Sequence, residues 1–492
     1  MIRRLVRERP EIAVAAALFV VLVATSGKYG WHRDELYFVI AGEHPDWGYP
    51  DQPPLTPLLA AAAYHLSSGS LVGVRSVAAL AEALTVLVVG DLVGGFGGTS
   101  RARAIGAAVW AVSGVSLVAG HILETTTFDV LATTAAVACL VRAVARAQPR
   151  WMLAAGAVVG VGLLDKLLVG MVMAIVVATM LVVGPRSALL NRWALGGSAL
   201  AGLGALPYVL WQSAHGWPQL ALSRSIAASG AEGGRVGVLP FQLILISVFL
   251  APVWISGLVA LLRDDRWRFL PLSYLVLLVA IILTGGKAYY AAGLLTVMAA
   301  GGAVATDRWI RRGASRHRAL RAPLVAIALG LSLAVNAALG LAILPPPVMQ
   351  ASGLERINPD AGEQVGWPRF LAAIHTAVLH APADERRRAV VFTGNYGEAA
   401  SIDLLGQPAL PRAYSGHNAF ALWSRPTSTG PVVVVGIDPG TDTTSSFDDC
   451  HVVSTVNNGV GLNNDEQGGP VQLCAGVKES WAAQWARLEH FN

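Results

Sequence analysis

From residue 11 to residue 344 the chain is a succession of long apolar runs, separated by short segments that hold most of its charge. A helix of about 20 apolar residues matches the hydrocarbon thickness of a bilayer. Runs of this length and number restrict the chain to a polytopic membrane protein. Only 14% of its residues are charged and 54% are hydrophobic, against about 25% charged in soluble domains. The mean hydropathy of +0.54 agrees.

Eleven spans are expected, at 11–27, 71–93, 104–120, 126–147, 151–164, 167–184, 194–211, 238–262, 269–284, 289–305 and 322–344. The fifth and ninth are short, and read as tilted, paired or partly re-entrant. No A-x-A-like cleavage site follows the first, so it reads as an anchor. Basic residues fall in alternate loops: Arg3, Arg4, Arg7 and Arg9; Arg101 and Arg103; Arg142, Arg146 and Arg150; Arg186 and Arg192; Arg263, Arg266 and Arg268; and Arg308 through Arg321. By the positive-inside rule these loops and the N-terminus are cytoplasmic. The net charge of +5 thus reads as membrane orientation, and no nucleic-acid partner is expected. Eleven crossings place the C-terminus outside, in a plasma (inner) membrane protein.

After residue 344 the composition gains Asn, Asp, Ser, Thr and Gly. Runs such as Ala389–Phe392 and Val432–Val435 read as strands, and Trp367–Leu379 reads as a helix. The expected fold is an all-α polytopic membrane domain over 1–344, with about 11 transmembrane helices, followed by a small α/β extracytoplasmic domain over 345–492. Cys139 lies in an apolar run and reads as a packing residue. An outside domain in an oxidising compartment can pair Cys450 with Cys474.

The first outside loop, 28–70, carries Trp31-His32-Arg33-Asp34-Glu35-Leu36-Tyr37-Phe38 and then Asp46-Trp47-Gly48-Tyr49-Pro50-Asp51-Gln52-Pro53-Pro54-Leu55. Acids so near membrane depth are costly unless they line a polar cavity. The loop therefore reads as a membrane-surface active site with a carboxylate base, against an interfacial loop with solvated charges. Adjacent Asp34 and Glu35 cannot face one way on a helix, so one acts and the other supports. Glu124 and Asp129 open the fourth span, where helix capping competes with a site role. Lys166 and Lys287 stand at outside span ends as phosphate ligands or snorkelling anchors, and Lys166 also reads as a simple partner of Asp165. Lys287 is the more suggestive, with Gly285 and Gly286 before it and Tyr289 and Tyr290 after it. Gly94-Gly95-Phe96-Gly97-Gly98-Thr99-Ser100 lacks a P-loop lysine. His32 and His44 lack tight zinc spacing, and a divalent metal is left open.

The stretch from His32 to Leu55 resembles the first-loop signature of GT-C membrane glycosyltransferases. It is most similar to the protein O-mannosyltransferase and aminoarabinose transferase group, in its bacterial branch. The matching residues are Asp34-Glu35 and Tyr49-Pro50-Asp51-Gln52-Pro53-Pro54-Leu55. Asp129 and Gly286-Lys287-Ala288-Tyr289-Tyr290 also match, as do Asn395-Tyr396-Gly397-Glu398-Ala399 and Ser415-Gly416-His417-Asn418 in the tail. Gln52 departs from the lysine of aminoarabinose transferases. Leu36 and Tyr37 replace the arginine that follows their acidic pair. The resemblance therefore does not carry over their aminoarabinose donor or lipid A acceptor.

The resemblance implies inverting transfer of a sugar, mannose or another hexose or pentose, from a polyprenyl-phosphate-linked donor to an acceptor hydroxyl on a protein, lipid or glycan. Asp34 and Glu35 are then the catalytic pair. Asp51, Gln52, Asp129, Lys166, Lys287, Tyr289 and Tyr290 are substrate-binding. Competing readings are a multi-pass transporter or lipid-linked-sugar flippase, and an envelope assembly protein. The lack of an internal repeat and the gathering of polar residues at one face weigh against a transporter.

Overall fold

The computed structural model describes residues 8–229, 234–312, 315–437 and 439–491. Arg3, Arg4 and Arg7, on which the expected orientation partly rests, lie outside the described residues, as do the side chains of 313–318. The helices of the first 340 residues are, in order, α1 (Glu11–Thr25), α2 (Arg33–Glu43), α3 (Leu55–Leu66), α4 (Leu71–Gly95), α5 (Ser100–Ala111), α6 (Gly114–His121), α7 (Thr125–Ala145), α8 (Trp151–Leu163), α9 (Leu168–Val183), α10 (Arg192–Ala214), α11 (Pro218–Ser229), α12 (Gly234–Ile246), α13 (Ala251–Leu262), α14 (Phe269–Thr284), α15 (Ala292–Arg311) and α16 (Ser315–Gly340). The chain divides into two compact units that do not follow its linear order. One comprises 1–26, 74–214 and 223–341; the other comprises 27–73, 215–222 and 342–492.

Among the described residues of the first unit five helices are long and apolar enough to cross a membrane, or up to seven spans when each of two bent pairs counts as one. The bent pairs are α5 with α6, at 60°, and α12 with Val248–Leu262, at 83°. The remaining expected spans fall on the shorter apolar helices α1, α8, α9 and α14. At 1.5 Å per residue the 13-residue α8 extends only about 20 Å, less than the hydrocarbon core.

A helix broken inside a bilayer frees backbone groups that water cannot reach, so the protein must satisfy them. Here α16 does so at both bends. Asn336 Nδ2 donates to the carbonyls of Val112 (2.8 Å) and Ile246 (2.9 Å). Ser332 donates to Ser247 at the second bend (2.8 Å). Small residues let other helices approach closely, as packing in lipid favours. A Cβ on Gly156 of α8 would collide with the backbone of Gly197 on α10, and one on Gly257 of α13 with that of Met298 and Gly302 on α15.

In the second unit α2 and α3 form a hairpin, joined by the tail elements α17 (Pro346–Ser352), α18 (Trp367–His380), α19 (Tyr396–Leu405), α20 (Ala419–Trp423) and α21 (Trp481–Leu488). The tail also forms a five-stranded sheet, in the order β2-β1-β3-β6-β5. Its strands are β1 (Val390–Thr393), β2 (Ala413–Ser415), β3 (Val432–Val435), β5 (His451–Thr455) and β6 (Pro470–Cys474); β4 (Phe447–Asp448) pairs separately with β7 (Gly476–Val477). β1 runs parallel to β2 and β3, while β6 is antiparallel to β3 and β5. All four valines of β3 are buried, as expected for a strand covered on both faces. Phe392, Val432 and Val434 pack with Trp481, Trp485 and Leu488 of the amphipathic α21. A disulfide joins Cys450 and Cys474. Cys139 is free and buried.

Candidate active site

The acidic loop of the second unit is built on the first turn of α2. His32 caps it: its ring Nδ1 accepts from the Asp34 N–H (3.2 Å), and its own N–H donates to Glu35 Oε2 (2.9 Å). This capping box satisfies helix donors that would otherwise be orphaned. It also divides the two acids. Glu35 is wholly buried with its carboxylate turned back on the cap. The side chain of Asp34 stays 29% exposed. Glu35, expected with Asp34 as one of a catalytic pair, is thus engaged in the helix cap, while Asp34 is not.

Asp34 Oδ1 accepts a hydrogen bond from the hydroxyl of Tyr396, at 2.8 Å. Tyr396 begins α19, and the adjacent Gly397 allows the approach to α2, since a Cβ there would press on the Arg33 side chain. The ring of Tyr396 lies 4.5 Å from that of Tyr37. The Tyr37 hydroxyl in turn donates to Asp51 Oδ1 at 2.9 Å. Two first-loop carboxylates are therefore each held by a tyrosine hydroxyl, and the two tyrosines touch. Burial, with the nearby carboxylates, keeps both phenols protonated well beyond their usual range. Asp51 is pushed up to about 7, chiefly by burial, with the Asp34 charge adding to the shift and the Tyr37 hydrogen bond opposing it. A carboxyl titrating near neutrality suits proton transfer or a proton-dependent contact with substrate.

Gln52 is buried, and its backbone carbonyl accepts from the Tyr49 N–H (2.8 Å). Its side-chain Nε2 is buried without a hydrogen-bond partner among the described residues. Such a donor is costly unless a ligand oxygen meets it. His32 turns Nε2 toward Asp360 (3.9 Å). His44 stacks on Trp423, its Nδ1 3.0 Å from the Ile40 carbonyl.

Beside Asp34, Arg33 pairs with Asp465 and with Glu363 (3.8 Å). Burial works against the charge on Arg33, but Tyr396 and the carboxylates of Glu363, Asp34 and Asp465 outweigh it and hold the cation. Around this one cation burial dominates the acids. Glu363 and Glu466 are pushed up to about 8 and Glu398 to about 7, with neighbouring acids adding to the shift and Arg33 opposing it in each. Glu398 is also bound by the N–H groups of Gly394 and Asn395.

In the first unit the structure gathers the lysines and tyrosines singled out in the sequence. Lys166 Nζ donates to Thr126 (3.3 Å) and lies 5.3 Å from the ring centres of both Tyr289 and Tyr290. Lys287 Nζ lies 5.6 Å from the Tyr289 ring. Lys166 is also within electrostatic reach of Asp129, Asp165, Glu124 and Lys287. Asp129 is buried in α7, and its Oδ1 has no hydrogen-bond partner among the described residues. Gly285 has φ +72°, which ends α14 in a left-handed turn open to glycine. Gln242 holds the following turn, donating to the Ala288 carbonyl (2.9 Å) and accepting from Tyr274 (3.2 Å).

Sequence reasoning did not find the pairing of Tyr37 and Tyr396 with the loop acids, or the partners of Arg33. Tyr396 stood only inside a tail motif. The capping of Glu35 had a signal, since a glutamate at the third helical position marks a capping box.

This fold defines a class: the chain has the GT-C fold of membrane glycosyltransferases. It is similar over nearly its whole length to ArnT from Cupriavidus metallidurans in the apo state (TM-score 0.60, 15% identity, covering 94% of this chain and 97% of that one). The same protein bound to undecaprenyl phosphate gives a TM-score of 0.58 at 15% identity, with 95% and 98% covered. Arabinofuranosyltransferase AftD from Mycobacteria gives 0.53 at 15%, covering 96% of this chain and 42% of that one. The model of the family described as dolichyl-phosphate-mannose-protein mannosyltransferase matches residues 51–211. No curated protein matches the chain.

Proposed function

We propose that this chain is an integral membrane glycosyltransferase that moves a hexosyl or pentosyl group from a polyprenyl-phosphate-linked donor to an acceptor hydroxyl, with inversion. One observation supports this reading above the others: Asp34 is partly exposed to solvent, held by a tyrosine, and set apart from a fully engaged Glu35. That is the arrangement of a single working carboxylate. Asp34 takes the proton of the acceptor hydroxyl while the acceptor oxygen bonds to the sugar carbon and the carbon–phosphate oxygen bond breaks. The lipid phosphate leaves with the electron pair of that bond. Lys287 and Lys166, with Tyr289 and Tyr290, are assigned to its charge, since fixed cations and hydroxyls stabilise a departing oxyanion. Gln52, Asp51 and Asp129 are assigned to substrate. The donor class draws on ArnT having been solved with undecaprenyl phosphate; the acceptor is a protein, lipid or glycan. We further propose eleven spans in the plasma membrane, a cytoplasmic N-terminus, a catalytic first loop at 28–70, and an extracytoplasmic domain from residue 345.

The direct test incubates the purified chain with radiolabelled polyprenyl-phosphate sugars and candidate acceptors. Labelled product with the opposite anomeric configuration is expected. Movement of intact lipid-linked sugar across a vesicle membrane without cleavage would instead establish a flippase.

A further inference from the structure

A polar cavity, of about 490 Å³, lies within the first unit at the span ends that carry the arginine-rich loops. Four guanidinium groups line it: Arg103 from α5, Arg142 and Arg146 from the end of α7, and Arg266 from the turn between α13 and α14. Two carboxylates, Asp91 and Asp264, also line it, so guanidinium groups outnumber acids. Asp91 is taken up by Arg142 (2.7 Å). Asp264 accepts from the backbone N–H of Arg266 (3.0 Å). Arg103 shares Glu11 with Arg9. Among the described residues no carboxylate lies within ion-pairing distance of Arg146 or Arg266.

The wall facing these arginines is the glycine-rich end of α4, which has no part in the proposed transfer. Gly94 leaves room for Arg103 to lie against the helix, since a Cβ there would strike its guanidinium. Gly97, at φ +77°, turns the chain away and adds no side chain. The rim carries Phe96 against Trp267 (5.4 Å), with Arg266 over the Trp267 ring (5.4 Å) and Arg142 over Trp151 (4.6 Å). Indole rings collect at the level of lipid headgroups. Guanidinium forks match phosphate oxygens, and basic pockets between spans hold phosphate-bearing headgroups.

We infer that this cavity binds a phosphate group, and that its source is the headgroup of an anionic phospholipid. The full-length chain in detergent is titrated with phosphatidylglycerol, phosphatidylcholine or inorganic phosphate, reading the thermal midpoint and, by native mass spectrometry, the lipid retained. A ligand bound only by the folded state raises the midpoint with its concentration. Phosphatidylglycerol is expected to raise it and to be retained, and phosphatidylcholine is not. Arg146→Ala/Arg266→Ala should weaken phosphatidylglycerol binding by about tenfold or more. Both residues are exposed, and the variant's thermal midpoint without added lipid checks that it folds as the parent does. Arg186→Ala/Arg192→Ala, an equal change of charge elsewhere, should bind as the parent does. Inorganic phosphate as effective as phosphatidylglycerol would overturn the lipid source. Equal binding by the parent and the Arg146/Arg266 variant, or equal loss in both variants, would overturn the site.

Discussion

The hydroxyl of Tyr396 donates a 2.8 Å hydrogen bond to Oδ1 of Asp34, joining residues 362 positions apart. A hydrogen bond to a charged group contributes about 1.5–3 kcal/mol. If that bond orients the base, Tyr396→Phe should lower kcat by about ten- to a hundredfold with little change in donor affinity. Steady-state kinetics at saturating donor checks this. An unchanged kcat would reduce Tyr396 to a packing residue.

Asp51, raised to about 7 by burial, should leave a mark on the pH profile. An ionisable group of that pKa that touches substrate gives kcat/KM an inflection near pH 7. Asp51→Asn should remove the inflection, whereas Asp51→Glu should keep one. A parent profile flat between pH 6 and 8 would separate Asp51 from the chemistry.

The buried acids around Arg33 set a pH dependence of stability with a definite sign. Glu363 and Glu466 are raised from 4.5 to about 8, so the folded state holds protons that the unfolded chain releases. Their contribution is fully present below about pH 4.5 and is lost as pH rises through 8. The thermal midpoint should therefore fall between pH 5 and 8.5, and Glu466→Gln should flatten the fall. A variant with the parent's slope would show that Glu466 is not among the responsible groups.

Asn336 holds two helix bends with one amide. Asn336→Leu leaves the carbonyls of Val112 and Ile246 without it, and each orphaned buried group costs about 1–3 kcal/mol. The midpoint in detergent should drop clearly, and Asn336→Gln should restore part of it. A Leu variant as stable as the parent would mean that water or lipid reaches the bends.

Much of the candidate site was legible where local chemistry is concentrated. Asp34, Asp51 and Gln52 lie within one stretch of the first loop, and Gly285 to Tyr290 in one turn, so the sequence already set these groups side by side. The structure also groups Lys166 with Tyr289 and Tyr290, two stretches the sequence could only treat separately. What escaped depends on distant pairing. The partners Tyr396 and Asp465 are 362 and 432 residues away from Asp34 and Arg33. The spans at 104–120 and 238–262 read as continuous because hydropathy reports apolar length, not direction. Their bends rest on Asn336 and Ser332, polar residues of a later helix that hydropathy averages away. The strand at Val432–Val435 was plain, since four successive valines suit a strand buried on both faces.

Lys287→Met tests the assignment of the donor phosphate. Loss of one fixed cation should raise the KM for the polyprenyl-phosphate donor by about tenfold or more, while the thermal midpoint stays near that of the parent. Lys287→Arg should recover part of the affinity. Unchanged donor kinetics would leave Lys287 as an interfacial anchor.

The most direct test of the whole mechanism is the turnover of Asp34→Asn at saturating donor and acceptor. Asparagine keeps the shape and an acceptor oxygen for Tyr396 but cannot take a proton. Turnover should fall by about 10²–10⁴-fold, the range for a positioned base, with donor binding and expression retained; Glu35→Gln should act mainly on stability through the α2 cap. Near-parental turnover in Asp34→Asn would contradict the assignment of Asp34 as the base.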